Sequence, residues 1–219
     1  MYRANFETEL KQLHQDIIEM GNTVNAAIKS SIQAYTEHDI ELCKDVVVGD
    51  KAVNEMEKKI EARCLWLIAR EQPVASDLRN ITTALKIITD MERIGDHAVD
   101  IAELAMDIPI KSTFAGFDKV AEMADAAIEM VNNALSAYVN ADLELAKRAN
   151  QDDDKVDDYF NVIKQEITEL FRGEEQDLDG ALDVLLIAKY LERIADHAVN
   201  ICDWVLFSQT GEHRNTQIF

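Results

Sequence analysis

At 219 residues and 47% hydrophobic content, the chain is long enough for one domain or two small ones and too apolar for disorder to be the default. Its 42 acidic against 22 basic residues give a formal charge of −20, which repels phosphate backbones and anionic lipid, disfavours nucleic-acid binding, and suits cations or a basic protein partner. Only seven glycines and two prolines interrupt a composition rich in helix formers, so the expected class is all-α.

The first helix is expected over about residues 5–35, where Phe6, Leu10, Leu13, Ile17, Met20, Val24, Ile28 and Ile32 step by three or four. It breaks at Thr36-Glu37-His38-Asp39, with Asp39 placed to cap the second helix. That helix is expected over about 40–70, with Val46, Val53, Met56, Ile60, Cys64 and Leu67 inward and Gly49 as a weak point. It ends before Pro73, because proline biases its predecessor away from helix. The third should start near Ser76, an N-cap with Asp77 in the first turn, and run to about Met106. Pro109 and residues 112–116 read as a linker.

The second half repeats this plan, with helices expected over about 117–138, 142–171 and 178–207. DIELCK (39–44) matches DLELAK (142–147) at an offset of 103, and LKIITDMERIGDHAVDI (85–101) matches LLIAKYLERIADHAVNI (185–201) at an offset of 100. The expected architecture is two tandem three-helix up-down bundles related by internal duplication: residues 1–108, residues 114–210, and a fraying tail over 211–219. Helices of about 30 residues at about 1.5 Å per residue would make an elongated molecule. Cys43, Cys64 and Cys202 form no CxxC and sit in apolar helical patterns, so they read as reduced core residues. The N-terminus lacks the apolar region of a signal peptide, and no run is long and apolar enough to span a membrane.

Each copy of the repeat sets a Glu and an Asp four residues apart: Glu92 with Asp96, and Glu192 with Asp196. Both glutamates fall at positions of a seam otherwise held by apolar or small residues, with Gly95 and Ala195 leaving room beside them. A carboxylate there needs a compensating partner. The third helix returns from a turn near Pro73-Val74, which brings Asp50 and Asn54 level with Glu92 and Asp96. The sixth returns from a turn near Gln176, bringing Asp153 and Asp157 level with Glu192 and Asp196. Such clustered oxygens suit hard cations. Pairing with Arg93, Arg193, Lys51, Lys189 or Arg79 is the competing reading, and spacing leaves both open. Asn54 removes a charge, so the second site is expected to hold metal more tightly. His97 and His197 read as packing or hydrogen-bonding residues. No Glu-x-x-His, HExxH, GxSxG, GxGxxG or phosphate-binding loop motif occurs, and no nucleophile–base arrangement suggests an enzyme.

The segments ALKIITDMERIGDHAVDIA and LLIAKYLERIADHAVNI, with QPVASDLRNI (72–81), resemble the PhoU family of bacterial phosphate-transport accessory and regulatory proteins. The resemblance spans nearly the whole chain. It implies a cytoplasmic protein acting at the inner face of the membrane through protein partners. It implies an adaptor between a phosphate-specific ABC transporter and a phosphate-sensing histidine kinase, restraining uptake when phosphate is plentiful. It also implies a homodimer and a multinuclear metal cluster of iron, magnesium, manganese or zinc. The motif positions are Glu92, Asp96, Glu192 and Asp196, with Asp50, Asp153 and Asp157 as the matching acids of the preceding helices and Asn54 departing from the pattern. The alternative is a helical-bundle metal protein with a hydrolase or storage role.

Overall fold

The computed structural model describes residues 2–108, 117–172, 178–213 and 216–217, the side chains of 2–5, 117, 150, 178 and 216–217 excepted. Six helices make up the fold: α1 (Tyr2–Glu37), α2 (Ile40–Glu71), α3 (Ala75–Asp107), α4 (Phe117–Asn140), α5 (Leu143–Leu170) and α6 (Leu178–Thr210). Two short strands come after them, β1 (Glu212–His213) and β2 (Thr216–Gln217). The expected linker at Pro109 and 112–116, and the expected turn at Gln176, lie outside the described residues.

The duplication is visible in the turns. After α1, His38 takes a left-handed φ of 53°, and after α4, Ala141 takes 51°. Asp39 then donates its backbone N–H to the Ala34 carbonyl at 2.9 Å, and Asp142 donates to that of Ala137 at 2.9 Å. The side chains of both aspartates cap the next helix. Asp39 Oδ1 accepts from the N–H groups of Glu41 (3.1 Å) and Leu42 (3.0 Å), and Asp142 Oδ1 from those of Glu144 (3.1 Å) and Leu145 (3.0 Å). Each satisfies donors that a helix start leaves orphaned. The break after α1 is thus narrower than the Thr36–Asp39 span expected, because Thr36 and Glu37 remain helical. At α3 the expected cap is displaced. Val74, extended, precedes the first helical residue with no side-chain cap, and Ser76 lies inside the first turn. Gly49 leaves α2 uninterrupted.

Leu13, Ile17, Met20, Val24 and Ile28 of α1 are fully buried, as their spacing predicts, and so are Ile60, Cys64 and Leu67 of α2. All three cysteines are free and buried. Burial pushes the thiol pKa values of Cys64 and Cys202 up to about 12, so both are inert apolar fillers. α1 and α2 are further tied by Asp16, whose carboxylate meets Arg63 Nε at 3.0 Å and Lys59 Nζ at 3.3 Å.

Helices α1–α3 pack together, α4–α6 pack together, and the two sets share one hydrophobic core through α3–α6 and α1–α4 contacts. Hydrogen bonds and ring contacts fix how α3 meets α6. Arg79 donates to the Ser208 carbonyl at 3.2 Å and Thr83 to that of Trp204 at 3.3 Å. Farther along, Asp90 meets His197 at 2.8 Å, and the His97 ring stacks on Tyr190 with centroids 5.4 Å apart. Each step forward on α3 is matched by an equal step back on α6, so the two helices are antiparallel. The Asp90–His197 and Tyr190–His97 pairs exchange under the offset of 100, so the duplicated motif lies against its own copy. Because α3 is covered from two sides, its buried residues exceed the single seam expected. Ile87, Met91, Ile94, Ala98 and Ile101 are buried while Leu85 and Val99 are only partly so. The tail, expected to fray, instead turns back from Gly211 (φ 78°), and β1 pairs antiparallel with β2.

Replacing either cap, Asp39→Ala or Asp142→Ala, should lower unfolding free energy by about 1 kcal/mol in urea denaturation. The two losses should add, because the caps belong to separate turns.

Candidate functional site: two acidic clusters on helix pairs

The antiparallel hairpin of α2 and α3 brings Asp50 and Asn54 beside Glu92 and Asp96, and α5 with α6 brings Asp153 and Asp157 beside Glu192 and Asp196. In the first cluster Gly95 allows the approach. A Cβ built there would lie 3.2 Å from Val53 Cγ1 and 3.7 Å from Asp50 Oδ1. Asn54 Nδ2 donates to Asp50 Oδ2 at 2.5 Å, while Asp50 Oδ1 is buried without a hydrogen-bond partner. Glu92 and Glu192 sit at the rim of the seam, with side chains 20% and 19% exposed, which is less buried than their register suggested.

The electrostatics show how little compensates these acids. Burial, then the Asp96 charge, raises the Asp50 pKa, against the opposing bond from Asn54. Burial raises that of Glu92, and the charges of Asp96, Glu57 and Asp50 add to it while Arg93 opposes. In the second cluster burial raises Asp153 to about 6, assisted by Asp157, Asp196, Asp154 and Glu192. Asp157 is raised by burial, then by Glu192, Asp196 and Asp154, with Lys189 opposing. Carboxylates rise this way when the charged form lacks enough favourable partners.

Some of the competing pairing is nevertheless present. Arg93 lies 3.5 Å from Glu92 and 3.2 Å from Asp96, and Lys189 is paired with Glu192. Lys51 instead faces Glu55 at 3.8 Å, and Arg79 serves the Ser208 carbonyl. Each cluster therefore carries a basic residue and a larger number of acids.

Two acidic residues were not singled out in the sequence. Glu57 joins the first cluster, where burial raises its pKa and the Arg93 and Asp96 charges act on it. Its signal was available, since 50, 54 and 57 lie on one helical stripe. Its counterpart at an offset of 103 is Phe160, which faces Lys189 with Nζ 5.6 Å from the ring centroid. Glu57 thus restores the charge that Asn54 lacks. Asp90 is the other. Its Oδ1 meets His197 Nδ1, and it accepts from Asn200 at 3.4 Å. His97 and His197 are placed as hydrogen-bonding and packing residues at the α3–α6 junction, their rings 5.6 Å apart. Burial lowers the His97 pKa, and its bond to Asp100 at 3.2 Å opposes that.

The donor set is chemically suited to a hard cation, because carboxylate oxygens predominate and Asp50 Oδ1 is orphaned. Among the described residues no three His, Cys, Asp or Glu side chains converge at metal-ligand spacing.

The PhoU domain model matches residues 17–105 and again 120–205, which are the two halves that carry these clusters. The chain belongs to the PhoU family. A relative from Clostridium acetobutylicum, a phosphate-specific transport system accessory protein PhoU homolog, is 33% identical over 213 residues, covering 97% of each chain. The crystal structure of PhoU from Pseudomonas aeruginosa superposes with a TM-score of 0.89 at 30% identity, covering 94% of this chain and 100% of that one. That of the phosphate transport system regulatory protein PhoU from Streptococcus pneumoniae superposes with a TM-score of 0.89 at 27% identity, covering 95% and 98%. The family match agrees with the resemblance carried by the duplicated motif.

The crowding has a sign in pH. A carboxyl whose pKa rises on folding, as Asp153 does from 3.8 to about 6, binds more protons folded than unfolded between those values. Stability should therefore fall as pH rises from about 4 to 6. Asp153→Asn should flatten that slope and raise stability at pH 7.5 by on the order of 1 kcal/mol after allowance for solvent screening, measured by urea denaturation across pH.

Proposed function

We propose that this protein is a non-catalytic regulator of phosphate uptake and phosphate signalling. It acts in the cytoplasm as an adaptor between a phosphate-specific ABC transporter and a sensor kinase, and it works as a homodimer. The observation that carries the reading is the two-repeat match to the PhoU domain over both halves of the chain, with relatives named as transport-system accessory proteins. Among the described residues no helix is long and apolar enough to cross a membrane, so membrane proximity would come through partners. A rigid bundle with a shared core suits docking, because its helix faces are preformed and cost little ordering on association.

The acidic clusters are proposed as divalent-cation sites. Asp50, Asn54, Glu92 and Asp96, with Glu57 beside them, would hold one. Asp153, Asp157, Glu192 and Asp196 would hold the other. A bound cation would supply the positive charge that Arg93 and Lys189 only partly provide. Uncompensated carboxylates raised by their neighbours support this reading.

Deleting the gene should derepress phosphate uptake and phosphate-starvation genes in phosphate-rich medium, and the purified protein should pull down transporter components. Unchanged uptake and expression on deletion would overturn the regulatory role. For the cation sites, about 1 mM Mn²⁺ or Mg²⁺ should raise the thermal midpoint by several degrees, as ligand linkage requires. The shift should shrink in Asp153→Asn/Glu192→Gln and vanish when Asp50→Asn/Glu92→Gln is added. An equal shift in all three proteins would remove the metal assignment.

A further inference from the structure

The C-terminal hairpin completes a cleft that the acidic clusters do not use. Its volume is about 280 Å³, and it is lined by Lys86, Thr89, Asp90, Asn200, Trp204 and His213. The left-handed φ of 78° at Gly211 turns the chain back onto α6. His213 then stacks on Trp204 with centroids 4.0 Å apart and ring planes at 26°. From α3, Lys86 Nζ lies 5.5 Å from the Trp204 centroid, within reach of a cation–π contact.

Lys86 forms no ion pair among the described residues and faces the Trp204 ring instead. The one carboxylate lining the cleft, Asp90, is engaged by His197 and Asn200 across the helix junction. Thr89 already donates to the Leu85 carbonyl at 3.1 Å. The ionisable donors lining the cleft are the Lys86 ammonium and the His213 imidazole, standing against an aromatic wall. The volume is at the small end of ligand pockets.

The duplication supplies an internal control. At the offset of 100, Lys86 corresponds to Leu186, Asp90 to Tyr190, Asn200 to Asp100 and Trp204 to Leu104. Leu186 is 46% exposed. The bundle therefore does not require a lysine, an indole or an amide at these places, and this cleft brings all three together.

We propose that this cleft binds a small oxyanion, a phosphate or carboxylate group held between Lys86 and His213. The net charge of −20 does not forbid it, because distant charges are screened beyond about 8 Å at physiological ionic strength. Charge-assisted hydrogen bonds made locally decide the affinity. The site is separate from the acidic clusters and independent of the accessory role proposed above.

The chain has two tryptophans, so Trp66→Phe leaves Trp204 as the only indole reporter. That protein is titrated with potassium phosphate, potassium acetate and potassium chloride at matched ionic strength while Trp204 fluorescence is monitored. A saturable change with phosphate or with acetate, absent with chloride, is expected, and the salt that produces it identifies the group. Adding Lys86→Gln should weaken it at least tenfold, His213→Phe should weaken it while keeping the aromatic stack, and Lys51→Gln should leave it unchanged. A response that tracks ionic strength alike in all three salts, that persists unchanged in Lys86→Gln, or that is missing for both oxyanions overturns the proposal.

Discussion

The antiparallel contact of α3 with α6 is the constraint on which the rest of this molecule depends. Each helix carries one copy of the ER-I-x-DHAV motif, and the contact lays the two copies against each other. His197 bonds Asp90 while His97 stacks on Tyr190. Ile87, Ile94 and Ile101, with Ile187, Ile194 and Ile201, are fully buried and share a face with these contacts by their spacing. A three-helix set with so large an apolar surface on α3 would expose it in isolation. Burying it against the second set supplies the hydrophobic drive for the two sets to form one core.

The same helices must then turn another face outward to α2 and α5, and here the acids gather. Residues Glu92 and Asp96 are one helical turn apart, so they share a face that His97 and Ile94 leave free. That division explains a motif that is otherwise contradictory, with charged, aromatic and aliphatic residues in one short run. One side of it binds the repeat to its copy. The other presents carboxylates that their own helix pair only partly neutralises. The raised pKa values of Asp50, Glu92 and Asp153 follow from that crowding, with burial the first cause at each.

Much of this was legible in the sequence. Six helices, the duplication, the Asp39 cap and the level placement of Asp50 with Glu92 come from periodicity and from counting outward from a turn. The rest was hidden because of what periodicity measures. A buried stripe shows that a face is covered and does not say by which helix. The one-seam reading of α3 therefore missed Ile87, Ile94 and Ile101 as a second surface, and with it the role of Asp90. The Ser76 cap was a local preference that the approach from Pro73 overrode, since Val74 already occupies the extended position before the helix. The tail looked frayed because two-residue strands carry no pattern. The stack that holds His213 against α6 comes from Trp204, a tertiary contact that no local pattern announces.

Divergence between the repeats is as informative as their likeness. The backbone devices are kept in duplicate: the left-handed turn residue, the aspartate cap and the junction histidine. Several of the residues facing outward are not. Glu57 is matched by Phe160 and Trp66 by Glu169 at the offset of 103, and Lys86 by Leu186 and Thr89 by Lys189 at the offset of 100. Surface exchanges away from special contacts are nearly neutral in stability, so the fold leaves these positions free to differ. Two like halves with unlike outer faces present two different chemistries at a fixed spacing and orientation.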